Sequence, residues 1–350
     1  MPRERKLENK GLPKRWRLTH GAYYYQVPPG SEASWDGKKT FRLGSGLTEA
    51  YTTWANRLQN EDDVTTFAQL LDKYALKEIP KKKLTTQAHN RSAIKKVRAV
   101  FGSMNLRDIK PRHVYQYVEK STAKIGARRE IEILSHALTK AVEWGFIDKH
   151  PIKGQIRLPG EKPRTRYVED WEIIECLSLQ PKREAGGVLA VQAYIRLAVL
   201  TGLRRGDLLR LTMSDFKEDG IHVTPGKTED STGKRIIIGW SEEVRAAVAL
   251  ARQARPVKLS PFLFCNRKGH GYFNEETGRA GGWESAWKSF VDRVMAETKV
   301  FEHFTEHDLR AKCSSDAVTT EHARQLLSHA DGALTKRVYR RRPEFVKPLR

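Results

Sequence analysis

The sequence predicts a multidomain, mainly α-helical protein with small β elements: a small α+β module, a helical domain, and a larger mixed, mainly helical domain. Three observations predict it. Strand-like runs are short and confined to two places, around Tyr23–Tyr25 and Lys39–Leu43, then around Ile221–Val223 and Ile236–Ile238. Elsewhere apolar residues recur at three- and four-residue spacing, the signature of helices with one buried stripe. A single segment, 158–166, has two prolines, a glycine and four charges without periodicity, and reads as a linker.

Taken in order, residues 1–62 form the first module. Tyr23, Tyr24 and Tyr25 follow His20-Gly21-Ala22, and the run from Lys39 to Leu43 follows the turn signal Asp36-Gly37. Gly44-Ser45-Gly46 ends that run, and Leu47 to Gln59 reads as one helix with Thr48 as a cap. Basic and aromatic residues alternate at Lys14-Arg15-Trp16-Arg17, which suits either phosphate contact with stacking or the filling of a tiny core.

From 63 to 157 the pattern is helical. Phe67, Leu70, Leu71 and Tyr74 mark a first helix. Pro111 opens another, with Val114, Tyr115 and Val118 on one face, and Ile131, Leu134, Leu138, Ala141 and Val142 form a buried stripe. Lys81-Lys82-Lys83 falls in a loop, as a solvated charge run or a track for a polyanion. After the linker, 167–350 begins with helices over Val168–Leu179 and Val188–Leu200. A hairpin follows at 221–238, and helix returns from Trp283 to Arg342.

Charge narrows the function. The chain has 64 Lys and Arg against 42 Asp and Glu, a net +22. The basic excess is 11 against 5 in residues 1–60, 22 against 12 in 61–165 and 31 against 25 in 166–350, so it is not a tail. An excess spread in this way favours a nucleic acid that touches every part of the protein. No apolar run approaches the roughly 18–20 residues that span a bilayer. The charged start, Met1 to Lys10, is not a secretory signal. Cys176, Cys265 and Cys313 are odd in number and far apart, which suggests reduced thiols and, by default, a cytoplasmic protein. No P-loop, carboxylate cluster or zinc-ligand spacing is present, so neither cofactor nor metal is expected.

Four short segments after the linker carry the chemistry. They are Thr201-Gly202-Leu203-Arg204-Arg205-Gly206-Asp207, Gly226-Lys227-Thr228, His307-Asp308-Leu309-Arg310, and Leu326-Leu327-Ser328-His329 followed ten residues later by Tyr339. Together they resemble the catalytic domain of the tyrosine recombinases, or phage-type integrases. That family carries a Thr-Gly-x-Arg segment, a hairpin lysine, His-x-x-Arg, a Leu-Gly-His-like segment and a nearby tyrosine, in this order. Each motif alone is weak, whereas the ordered set is specific, and it covers roughly residues 166–342. Residues 63–157 are similar to the family's core-binding domain, at Phe101-Gly102, Leu106 and Ile109 and at Gly145-Phe146-Ile147 and His150-Pro151. Residues 1–62 resemble, less closely, its arm-site-binding modules.

The resemblance implies a site-specific recombinase that breaks and rejoins DNA through a 3′-phosphotyrosyl intermediate, for integration and excision of a mobile element such as a phage genome. Its catalytic residues would be Arg204, Lys227, His307, Arg310, His329 and Tyr339. Planar guanidinium forks such as Arg204 and Arg310 can grip the non-bridging phosphate oxygens bidentately. They matter most where negative charge accumulates in the transition state. His307 can take the nucleophile's proton, and His329 can donate to the phosphate. A phenol with its ordinary pKa of about 10 needs such cations to become a nucleophile. The family's spacing favours Lys227 as general acid, with Lys234 as its rival. Asp207 reads as a structural partner and Arg205 as a surface or DNA-backbone residue. Two departures stand out: Ser328 replaces the common glycine, and the His329–Tyr339 interval is one residue longer than usual, which an insertion at Asp331-Gly332 would absorb. The implied partners are double-stranded DNA attachment sites and a homotetramer assembled on two of them, with a segment after Tyr339 docking on a neighbour. A DNA-bending protein and an excision factor are compatible with this. A type IB topoisomerase and a non-catalytic architectural DNA-binding protein are the competing functions.

Overall fold

A computed structural model describes residues 9, 11–30, 32–57, 64–160, 162–183, 185–226, 233, 235–275, 277–329 and 331–343. The chain divides into two compact units, 1–161 and 162–350. No helix among the described residues is long and apolar enough to cross a membrane.

The first unit opens with an antiparallel sheet of β1 (Trp16–Thr19), β2 (Ala22–Gln26) and β3 (Thr40–Gly44), in that order. His20 and Gly21 both take positive φ, 50° and 72°, between the paired residues Thr19 and Ala22. A two-residue hairpin turn of this kind matches the twist of its strands, and glycine adopts it without strain. Trp16 is 1 % exposed and lies among Tyr25, Trp35, Leu43 and Tyr51, under helix α1 (Leu47–Arg57). It is therefore a core residue. The opposite face carries a cross-strand row of Arg17, Tyr24 and Arg42, in register on the three strands.

Four helices follow: α2 (Phe67–Lys77), α3 (Leu84–Phe101), α4 (Pro111–Lys120) and α5 (Lys124–Glu143). Thr66 and Gln69 form a capping box that starts α2, and Phe67, Leu70, Leu71 and Tyr74 are fully buried. They pack with Val97, Phe101, Leu134, Leu138 and Ala141. Residues 1–62 and 63–157 share this unit. Ala75 and Leu76 of α2 pack on the core of the sheet module, and Arg98, paired with Asp72, hydrogen-bonds the hydroxyl of Tyr51. Of the loop lysines, Lys81 pairs with Glu78 at 2.7 Å and Lys82 donates to the hydroxyl of Tyr74 at 2.8 Å.

The second unit is built round α7 (Gly187–Thr201), an apolar helix whose residues Val191, Ala193, Tyr194, Ile195, Leu197 and Ala198 are all buried. A helix apolar over most of its surface must be largely enclosed, and α7 leaves Arg196 exposed. α6 (Asp170–Ser178), α8 (Arg205–Arg210), α9 (Glu242–Gln253), α10 (Gly281–Glu297) and α11 (Glu306–Asp316) pack around it. The hairpin of β4 (Gly220–Val223) and β5 (Ile236–Gly239) pairs Ile221 with Ile238. Arg164 and Arg166, from the segment read as a linker, pair with Asp308 and Glu172 inside this unit.

Candidate active site

The site assembles where three helix ends meet. Gly202 ends α7 in the left-handed conformation, φ 63°. A Cβ there would lie 3.0 Å from Sγ of Cys313 and 3.1 Å from Cδ2 of Leu327, so glycine is required both by the backbone and by the approach of α11 and α12 (Thr320–Leu326). Arg204 follows as the N-cap of α8, with its side chain partly exposed. Asp207, one turn on, is buried. It accepts a 3.0 Å bond from the amide of Gly226 and lies 3.9 Å from Arg204. It thus ties the arginine to the hairpin loop as a structural partner. Lys227 and Lys234 themselves lie outside the described residues. Arg205, expected as a surface or DNA-backbone residue, is partly exposed and pairs with Glu284 (3.3 Å) and Glu306 (3.5 Å).

α11 carries His307 and Arg310 one turn apart. Arg310 is 2 % exposed; its fork donates to the carbonyls of Gly202 and Leu327, the latter at 2.5 Å, and to Nε2 of His329 at 3.3 Å. Its Nε is buried without a partner among the described residues. Burial, with Arg204 alongside, pushes its pKa down to about 10. A buried cation beside a second cation is what an incoming anion would relieve.

His329 is presented by a Schellman turn at the end of α12. Its amide reaches the carbonyl of Arg324 at 3.0 Å, that of Ser328 reaches Gln325 at 2.9 Å, and Ser328 occupies the left-handed position at φ 51°. Glycine is the usual occupant of this position, which explains the family's glycine. Since a guanidinium only donates, Nε2 of His329 accepts from Arg310, and Nδ1 donates to the hydroxyl of Thr335 at 2.8 Å.

Tyr339 ends a π-helical turn, Thr335–Tyr339, closed by the amide of Arg340 on the carbonyl of Thr335 at 3.1 Å. A π turn holds one residue more than an α turn. The longer His329–Tyr339 interval thus contains a π turn, and earlier in it Asp331 caps Ala333 at 2.8 Å. The Tyr339 ring is buried 4.8 Å from His329, 5.2 Å from His307 and 5.6 Å from the Arg310 guanidinium. Burial, reinforced by Arg341 and Arg310, holds the His307 pKa below the usual histidine range against the pull of Asp308. The structure therefore brings Arg310, His307, His329 and Tyr339 together, with Arg204 within electrostatic reach. Sequence reasoning missed Thr335, Ser315 and Arg341, which hold this turn; only the place of Arg341, two residues after the tyrosine, offered a signal.

Among known proteins, the pattern described as Phage integrase family matches residues 184–344, and Phage integrase, N-terminal SAM-like domain matches 66–121. A Haemophilus influenzae protein that bears the name integrase/recombinase is 24 % identical over 182 residues. That match covers 47 % of this chain and 49 % of the relative, so the chain spans about half the length of that curated relative. The fold is similar to a lambda integrase dimer bound to a COC′ core site, with TM-score 0.63, 20 % identity and 99 % of each chain covered. A lambda integrase tetramer bound to a Holliday junction gives TM-score 0.59 and 20 % identity, covering 92 % of this chain and 97 % of the other. The Tn1549 transposon integrase in complex with a circular intermediate DNA gives TM-score 0.64 and 16 % identity, covering 78 % and 94 %. At these identities the structural likeness concerns the fold.

Proposed function

Since the chain belongs to the tyrosine recombinase family, we propose that it is a site-specific DNA recombinase, with Tyr339 as the nucleophile. The observation that carries this is the packing of the Tyr339 ring against His307, His329 and the Arg310 fork. The phenolic oxygen attacks a phosphodiester phosphorus, the bond to the 5′-oxygen breaks, and a 3′-phosphotyrosyl ester forms. His307, kept neutral by burial and by its cationic neighbours, takes the phenolic proton. Arg204 and Arg310 hold the non-bridging oxygens as negative charge grows on them. His329 donates to the phosphate through Nε2 once that nitrogen carries a proton and its contact with Arg310 is released. Lys227 delivers a proton to the leaving 5′-oxygen. Attack by a 5′-hydroxyl reverses each step, and the ester conserves the bond energy.

On this reading residues 167–350 cut and rejoin DNA, 63–157 grip the core site, and 1–62 bind outlying arm sites through the row of Arg17, Tyr24 and Arg42. The substrate is a double-stranded attachment site, the working form is a homotetramer in the cytoplasm, and the outcome is integration and excision of a mobile element. The test is covalent attachment to a supercoiled plasmid carrying the DNA that flanks this gene. Wild-type protein should remain on the DNA through denaturing electrophoresis, and Tyr339→Phe should bind but not attach. Attachment by Tyr339→Phe would mean another nucleophile.

A further inference from the structure

The turn that carries Tyr339 is gripped by groups outside the constellation described above. Ser315 of α11 donates its hydroxyl to the carbonyl of Tyr339 at 3.0 Å and accepts from the amide of Arg341 at 2.7 Å, which fixes the backbone on both sides of residue 340. The Arg341 side chain is 4 % exposed. Its Nε donates to the carbonyl of Val338 at 3.1 Å, and one terminal nitrogen donates to the carbonyl of Arg166 at 2.9 Å and to Asp308 at 2.6 Å.

Asp308 is wholly buried beside His307 and accepts from the amide and hydroxyl of Thr305, at 2.9 and 2.8 Å. It also receives the fork of Arg164, at 3.1 and 2.9 Å. One carboxylate therefore joins the first residues of the second unit, the start of the helix that bears His307 and Arg310, and the segment just past Tyr339. Burial would raise the Asp308 pKa, but the bonds from Thr305, Arg341 and Arg164 outweigh it and hold the carboxyl below its usual range. The anchor stays charged at neutral pH.

Resting on the reading of Tyr339 as nucleophile, we propose that Arg341 is a positioning residue for it, and that Arg164 acts on the same turn through Asp308. The chain entering the catalytic unit and the chain leaving the nucleophile then share one anchor, so a displacement of the first is felt by the second. An in-line attack tolerates little error, and a misplacement of about 1 Å costs on the order of 100-fold in rate. The charges facing His307 are Arg341, Arg310 and Arg164, with Asp308 opposing, so loss of Arg341 also moves the histidine's titration upward.

The test is single-turnover covalent attachment by full-length protein to a nicked duplex carrying the cleavage site mapped on the flanking DNA, followed against pH. Arg341→Gln should bind the duplex as wild type does and attach about 10- to 100-fold more slowly. The acid limb of its rate profile should shift to higher pH. Arg341→Lys, which keeps the charge, should restore the pH profile but not the full rate. Arg164→Gln should slow attachment several-fold, and less than multiplicatively when combined with Arg341→Gln. A rate for Arg341→Gln within twofold of wild type at every pH overturns the proposal. So does slowing matched by weaker binding with no pH shift. If Arg341→Gln fails to fold, the half-exposed Arg164 decides: slower attachment at an unchanged melting temperature supports the shared anchor, and an unchanged rate sinks it. Attachment by Tyr339→Phe would remove the underlying reading and is scored separately.

Discussion

Replacing Ser328 by glycine should make the protein more stable without touching its chemistry. The serine sits at φ 51° in the Schellman turn that presents His329, and its hydroxyl is buried with no partner among the described residues. A side chain in the left-handed region costs about 1 kcal/mol. A buried hydroxyl with no bond costs about 1 kcal/mol more. Against these, glycine gives the unfolded chain extra freedom, roughly 0.5–1 kcal/mol. The net gain is about 1 kcal/mol, and for a cooperative unit of this size that raises the transition by roughly 2–4 °C. Scanning calorimetry of the full-length variant measures it, and single-turnover attachment should match wild type because His329 keeps its backbone bonds. A transition that stays put or falls would show that Ser328 is not strained and that its hydroxyl is satisfied.

Other outcomes follow from the same geometry. Lysine at Arg204 or Arg310 should slow attachment by about 10²–10³, since a point charge cannot replace a fork; a near-wild-type rate would take that arginine out of the phosphate clamp. For Lys227 and Lys234, a substrate with sulfur at the bridging 5′-position decides: Lys227→Ala should fail on normal DNA yet cleave the sulfur substrate, and the reverse pattern would give the role to Lys234. His307 must be neutral to accept a proton, and its pKa is lowered, so attachment should hold as pH falls through 6.5 and decline only below it. The sign for stability is the same. Below pH 6.5 the unfolded chain takes a proton that folded His307 refuses, and stability is lost; a decline already complete at pH 6.5 would contradict this. Full-length protein with Arg17→Glu and Arg42→Glu should keep its core-site footprint and lose outlying sites, and identical footprints would deny the sheet that role.

The proposed catalytic groups are far more legible in the sequence than the groups that support them. Arg204, His307, Arg310, His329 and Tyr339 are readable because they stand in ordered motifs that resemble a known family's, and the structure brings the last four together. The supports are not. Thr335 positions His329 through one hydroxyl contact, and Arg341 acts through two carbonyls and the carboxylate of Asp308, far from it in sequence, so local pattern marks neither. Trp16 could stack on a base or fill a core, and only the sheet's register decides for the core. α9 escapes the sequence reading although Ser241 caps it and Val244, Ala247, Val248 and Ala251 line one face, because no motif draws attention there. The segment 158–166 is uniform in composition, yet Arg164 and Arg166 fold into the second unit by long-range ion pairs that local pattern cannot show.

The fork of Arg310 ends on the carbonyls of Gly202 and Leu327, which close α7 and α12. Helix C-termini carry partial negative charge, and a cation placed there gains about 0.3–2 kcal/mol. A desolvated guanidinium is thus kept in place by two backbone dipoles, and among the described residues no carboxylate pairs with it. A carboxylate would have to be pushed aside when a phosphate arrives, and it would repel that phosphate first. Dipoles of fixed backbone do neither, so a phosphate that binds Arg310 as proposed has no resident anion to evict.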